Sequence, residues 1–116
     1  NLSRHLVNLP PNVLNPTTYA SGLRELFSGT KMTGEIREET RLKKENMGLH
    51  LAVGQGSADK PRLVKLSYRG MPGKKFFAVV GKGITFDSGG LDLKPASAMR
   101  DMKKDMGGSA SVVGLA

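Results

Sequence analysis

The chain has 116 residues, a formal net charge of +8 and no Cys or Trp, and this length predicts one domain or a part of one. The lack of Cys excludes a disulfide framework, a cysteine-based zinc site and a thiol nucleophile. The longest apolar runs, such as Phe76–Val80, are far shorter than the roughly 18 residues of a membrane span, and no signal-peptide pattern opens the chain, which favours a cytoplasmic protein without a membrane partner.

The first part of the chain is predicted to form three helices and one short strand. A short helix over residues 2–9 ends at two prolines. The second helix begins at Pro16, which follows an asparagine suited to the N-cap position, and it ends at Gly29. A short strand is predicted over Lys31–Ile36, and a charged, exposed helix over Glu38–Asn46.

The remaining part is predicted to contribute three strands and a final helix. The strands cover Leu49–Val53, Leu63–Tyr68 and Phe76–Val80. The third strand is apolar at every position, as in strands that are buried on both faces of a sheet. His50 falls within the first of these strands, and we expect it to be structural rather than catalytic.

The alternation of helices with buried strands is typical of the α/β class. We therefore predict an α/β fold in which a partial mixed sheet is flanked by helices. The last predicted helix, Gly108–Ala116, is apolar and reaches the final residue without a cap. We interpret residues 1–116 as the front part of a larger domain.

Most of the positive charge lies in one stretch, since residues 51–75 carry five of the eight net charges. Lys65 and Arg69 alternate with apolar neighbours, as on the solvated face of a strand that leads into a turn over residues 70–73. A nucleic-acid interface usually also contains aromatic side chains that stack on bases, or a helix that contacts base edges. Few aromatic residues, such as Tyr68 and Phe76, are near this stretch in the sequence. A basic surface at residues 60–75 that binds anions or nucleic acid is the alternative function.

The segment that carries chemistry is residues 80–108, VGKGITFDSGGLDLKPASAMRDMKKDMGG. It follows the predicted buried strand, where α/β sheets form their sites. Its glycines match neither the dinucleotide nor the Walker pattern, and Ser88 lies outside a Gly-x-Ser-x-Gly elbow and far from either histidine. An oxygen-rich metal site and an ordinary surface loop remain open. The charged residues in question are Lys82, Asp87, Asp92, Lys94, Asp101 and Asp105.

These residues resemble the leucyl aminopeptidase (cytosol aminopeptidase) family. The resemblance rests on VGKGITFDSGG over residues 80–90, LKP over 93–95 and MKKDMGG over 102–108. It extends upstream through NLPPN at residues 8–12, MG at 47–48 and AVGQGS at 52–57, and so covers nearly the whole chain in order.

The resemblance implies a two-metal exopeptidase that uses two divalent ions, Mn or Zn, to release N-terminal amino acids of the leucine type from peptides. Asp87 would bridge both ions, and Lys82 and Asp105 would be ligands of the more tightly bound ion. Lys94 would be the catalytic lysine that stabilises the oxyanion, and Met102 would line the pocket for the first side chain of the substrate. The family is typically hexameric.

The physical chemistry of the site agrees with these roles. Lys82 can ligate a metal only when it is neutral, which requires a pKa depressed by burial beside a dication. Lys94 would keep its proton and offer charge to the tetrahedral intermediate. Met99, Met102 and Met106 are spaced three and four residues apart, so on a helix they would share a face.

Two features of the family are not found in residues 1–116. One is its N-terminal domain. The other is the motif Asn-Thr-Asp-Ala-Glu-Gly-Arg, which supplies two further carboxylate ligands and the arginine that holds bicarbonate as a proton acceptor. We therefore expect the 116-residue chain alone to be inactive, although the parent protein would be an enzyme.

Overall fold

The computed structural model describes residues 1–71, 73 and 75–116, and the chain divides into two compact units. The terminal unit comprises residues 1–15 and 76–116, and the central unit comprises residues 16–75. The elements in chain order are α1 (Leu2–Asn8), α2 (Pro16–Leu26), β1 (Met32–Arg37), α3 (Glu39–Lys44), α4 (Gly48–Val53), β2 (Leu63–Tyr68), α5 (Ala96–Met99), a 3₁₀ helix (Met102–Met106) and α6 (Gly107–Leu115). No described helix has the length and apolar character that a membrane crossing demands.

The predicted α/β class is confirmed, since helices accompany a sheet in which β1 and β2 pair antiparallel, from Met32 opposite Tyr68 to Arg37 opposite Leu63. The predicted first strand and the predicted charged helix correspond to β1 and α3. Helix α2 begins at Pro16 as expected, because proline has no N–H to leave unpaired in the first helical turn. The turn predicted after β2 includes Pro72, which lies outside the described residues.

The strand predicted over Leu49–Val53 is wrong, because these residues form α4. A short apolar run does not distinguish a strand from a helix by its periodicity, and its Leu and Ala residues have high helix propensity. Asn46, with φ of 54°, turns the chain after α3 and lets α4 start at once. His50, which we expect to be structural, lies on α4 with Nε2 3.2 Å from the Arg62 carbonyl oxygen.

The basic stretch of the central unit lies beside acidic side chains. Lys65 on β2 is in register with Glu35 on β1. Arg62 Nε lies 3.8 Å from Glu38 Oε1. Lys74, another basic residue of the stretch 51–75, is outside the described residues. Acidic side chains thus offset part of the positive charge of this stretch. Such mixed charge is typical of a solvated surface and does not favour an anion-binding role.

The core of the terminal unit lies between α1 and the end of the chain. Leu6 of α1 is buried, and so are Met106, Ala110 and Val113 from the 3₁₀ helix and α6. The Ser3 hydroxyl donates to the Ala110 carbonyl oxygen at 2.9 Å. The predicted final helix is thus confirmed, and one of its sides packs against α1.

The buried strand predicted over Phe76–Val80 is wrong for the described residues. These residues form no strand, and Phe77 and Val80 are 90% and 93% exposed. A strand that is apolar on both faces needs a covering layer on each face and hydrogen-bonded neighbours. Within the part of the chain that the structure describes, the terminal unit supplies neither.

The three methionines also do not share one helical face. Helix α5 ends at Met99, and a 3₁₀ helix begins at Met102, so the 3.6-residue periodicity is interrupted between them. Met106 is fully buried in the core, whereas Met102 is half-buried. The interruption places Met102 at the start of the turn that carries Asp105.

Candidate functional site

The predicted site residues meet as two charged pairs in the terminal unit. Residues 80–83 run beside the start of α6, where the Ser109 N–H donates to the Lys82 carbonyl oxygen at 2.8 Å. The 3₁₀ helix just before α6 carries Asp105. The hydrogen bond therefore brings Lys82 next to a carboxylate that lies far from it in the sequence.

The first pair joins Lys82 Nζ and Asp105 Oδ1 at 2.8 Å. The lysine side chain is 60% exposed, and the aspartate side chain is 20% exposed. The second oxygen of the aspartate, Oδ2, is buried and has no hydrogen-bond partner among the residues that the structure describes. A buried oxygen without a donor is unusual in a folded protein and indicates a missing positive or donor group.

The depressed pKa that we expect for Lys82 requires a dication beside it, and the protein's own groups act in the opposite direction. The hydrogen bond to Asp105 raises the pKa of Lys82, and the negative charges of Asp105 and Asp87 act in the same direction. Burial lowers the pKa, but it does not outweigh these contributions. The protein's own groups thus favour an ammonium at this position, and only an added dication would favour the neutral amine.

The second pair joins Asp87 and Lys94. Asp87 Oδ1 accepts the N–H of Gly89 at 2.8 Å, and Oδ2 lies 3.4 Å from Lys94 Nζ. The Lys94 N–H donates to the Ser88 carbonyl oxygen at 2.9 Å, which closes the loop. The Gly89 hydrogen bond, and after it the Lys94 ammonium, hold the pKa of Asp87 below its ordinary value, so it is a carboxylate at neutral pH.

Gly89 makes this loop geometry possible. Its φ is +97°, and a Cβ there would lie 2.3 Å from the Asp92 carbonyl oxygen. This need for glycine was not predicted, although the sequence carries a signal for it, an Asp followed two residues later by a Gly-Gly doublet. Ser109 was not predicted either, and the sequence carries no distinguishing signal for it.

The structure keeps other acidic residues out of the site. Asp92 and Asp101 are both exposed. Among the described residues, no group of three or more His, Asp or Glu side chains converges in a way that could hold a metal ion. The residues at hand are thus two carboxylates and one amine.

These donors fit a divalent ion in chemical type. Carboxylate oxygen suits Mn²⁺ and is also accepted by Zn²⁺. Asp87 is ionised, and Asp105 presents a buried oxygen without a partner. The set fits part of a metal centre whose coordination needs further ligands.

Comparison with known proteins shows which family the chain is similar to. The model of the cytosol aminopeptidase family, catalytic domain, matches residues 1–116. The chain is 48% identical over 115 residues to a probable cytosol aminopeptidase of Rhodopirellula baltica, covering 99% of this chain and 23% of that protein. The chain therefore spans about a quarter of the length of the relatives it matches.

Solved structures show the same likeness. The bottromycin maturation enzyme BotP in complex with Mn is 42% identical, with a TM-score of 0.84 over 97% of this chain and 24% of that one. The leucyl aminopeptidase of Trypanosoma brucei in complex with actinonin is 38% identical, with a TM-score of 0.87 over 96% of this chain and 22% of that one.

Proposed function

The chain belongs to the cytosol aminopeptidase family, and from this premise we propose that residues 1–116 are the front part of the catalytic domain of a metal-dependent aminopeptidase. The parent enzyme would release N-terminal amino acids of the leucine type from peptides. One observation carries the proposal: the terminal unit holds two charged pairs, Lys82 with Asp105 and Asp87 with Lys94, and one carboxylate oxygen lacks a partner among the described residues although it is buried.

Lys82, Asp87 and Asp105 would hold two divalent ions, Mn or Zn, together with carboxylates from outside residues 1–116. The structure of the similar protein BotP in complex with Mn supports the proposal of a divalent metal. When bound, the ions would supply Lewis acidity and an activated water. Asp87, kept ionised by the Gly89 N–H, would face both ions, whereas Lys82 would lose its Nζ proton on ligation.

Lys94 would act on the substrate. In the structure its ammonium lies 3.4 Å from Asp87 Oδ2, at the edge of the proposed metal ligands. From there Nζ would donate a hydrogen bond to the oxyanion that develops as the peptide carbonyl becomes tetrahedral. A donor aimed at a developing oxyanion contributes a factor of about 10²–10³ to kcat.

Met102 would line the pocket for the first side chain of the substrate, since it is half-buried and begins the turn that carries Asp105. A flexible thioether side chain suits an apolar substrate side chain such as leucine. We also propose that bicarbonate serves as proton acceptor in the complete enzyme, that the enzyme is a hexamer and that it acts in the cytoplasm.

The test is Lys94→Ala in the full-length protein, with Lys104→Ala as the control, because Lys104 is an exposed lysine of the same unit. We expect kcat for an aminoacyl amide to fall by about 10²-fold or more in the first variant. Calorimetric Mn²⁺ affinity should be unchanged in both. Hydrolysis at the wild-type rate by Lys94→Ala would refute the assigned role.

A further inference from the structure

Two backbone segments of the terminal unit touch without any side chain between them. We define the glycine seam as Gly81, Gly108 and the hydrogen bond from the Ser109 N–H to the Lys82 carbonyl oxygen. A Cβ on Gly81 would lie 2.6 Å from both the Gly108 carbonyl oxygen and Ser109 Cα. A Cβ on Gly108 would lie 2.9 Å from the Lys82 backbone nitrogen. All of these are backbone atoms, so only hydrogen fits at either glycine.

The seam fixes where the Lys82 side chain starts. Because that side chain is 60% exposed, packing does not hold it. The Asp105 carboxylate is fixed by its own backbone, because the next residue, Met106, is fully buried. The Ser109 hydroxyl also donates to the Met106 carbonyl oxygen at 2.7 Å. The separation of the two backbones therefore defines the gap that the Lys82 side chain bridges to reach Asp105 Oδ1 at 2.8 Å.

We propose that Gly81 and Gly108 are positioning residues that hold Lys82 at ligation distance from the metal shared with Asp105. This inference rests on the proposed function. An added methyl group at Gly81 would push residues 80–83 away from α6 and carry Lys82 with them, while the buried Met106 would keep Asp105 in place.

The experiment titrates Mn²⁺ into metal-stripped full-length protein by calorimetry. We expect Gly81→Ala to raise the Kd of the tighter site about 10–100-fold, as when groups that orient metal ligands are removed. Gly83→Ala is the matched control in the same segment, because its Cβ would meet only the Ser109 side chain, at 3.4–3.5 Å. Its Kd should stay within about 2-fold of wild type, since such distances are ordinary van der Waals contact.

A double-mutant cycle with Lys82→Ala separates positioning from general destabilisation. If Gly81 acts through Lys82, adding Gly81→Ala to Lys82→Ala should change Kd by less than about 2-fold. Additive effects, or a wild-type Kd in folded Gly81→Ala, would overturn the inference. An unchanged Kd in Lys82→Ala would instead refute the proposed metal site.

If Gly81→Ala does not fold, as judged by thermal melting of the metal-free protein, Gly108→Ala takes its place. Its Cβ meets the same seam from the helix side at the longer distance of 2.9 Å. We expect a smaller rise in Kd that is again absent in the Lys82→Ala background. A rise that persists there would contradict the positioning role.

Discussion

Replacing Asp105 by alanine should stabilise the metal-free protein. Asp105 Oδ2 is buried without a hydrogen-bond partner in the described part of the chain, and such a group costs about 1–3 kcal/mol of folding free energy. The alanine also gives up the pair with Lys82, but that lysine is 60% exposed, and water screens an exposed ion pair strongly. The buried oxygen therefore outweighs the lost pair.

The size of the effect can be followed by thermal unfolding. One kcal/mol corresponds to about 2–8 °C in Tm, depending on the size of the domain, so we expect a rise of a few degrees for metal-free Asp105→Ala. With Mn²⁺ at about 100 times its Kd, the wild type should gain about 2.7 kcal/mol. The variant should gain much less, because it lacks a ligand of the proposed site.

Asp101→Ala is the control for this prediction, since Asp101 is an exposed aspartate that caps no helix with its side chain. Its Tm should be close to that of the wild type with and without Mn²⁺. A fall of several degrees in metal-free Asp105→Ala would refute the reasoning, because it would mean that the Lys82 pair stabilises the fold by more than the buried oxygen destabilises it.

Two further predictions concern the two units separately. The depressed pKa of Asp87 adds stability that is present above its ordinary value of 3.8 and is lost as pH falls through the lower folded value. Lys94→Met should therefore raise the Asp87 pKa in a carboxyl NMR titration, and the protein should begin to lose stability at a higher pH on acidification. An unshifted Asp87 pKa in Lys94→Met, or an equal shift in the control Lys104→Met, would contradict the assigned cause. In the central unit, Leu42→Ala should cost about 2–5 kcal/mol in denaturant unfolding because Leu42 is fully buried. Leu49→Ala should change stability by less than about 0.5 kcal/mol because Leu49 is 89% exposed, and equal losses in both would show that the burial argument is wrong.

Local signals in the sequence were sufficient for most elements. Pro16 marks the start of α2, and Gly29, with φ of +76°, follows its end where the backbone needs the left-handed region. The same is true of β2, whose predicted bounds, Leu63 and Tyr68, are those of the structure. These features depend on the conformational preferences of a few neighbouring residues, which are present in the sequence itself.

Local signals were not sufficient where a segment depends on distant partners. The apolar run Leu49–Val53 is compatible with a strand or a helix, and the turn at Asn46 that lets α4 follow α3 decided between them. Phe76–Val80 has the composition of a buried strand, but no described segment covers or pairs with it as a strand. Burial is a property of what surrounds a segment, so composition alone predicted it wrongly.

The sequence by itself determined the length, the charge distribution and the motif of residues 80–108, and through that motif the family. Only the tertiary structure decided that Lys82 faces Asp105 and that Asp105 keeps one buried oxygen without a partner. It also decided that basic residues of the central unit, Lys65 and Arg62, lie beside the acidic residues Glu35 and Glu38. The physical reason is that distances, burial and pKa depend on groups that the fold brings together from separate parts of the chain.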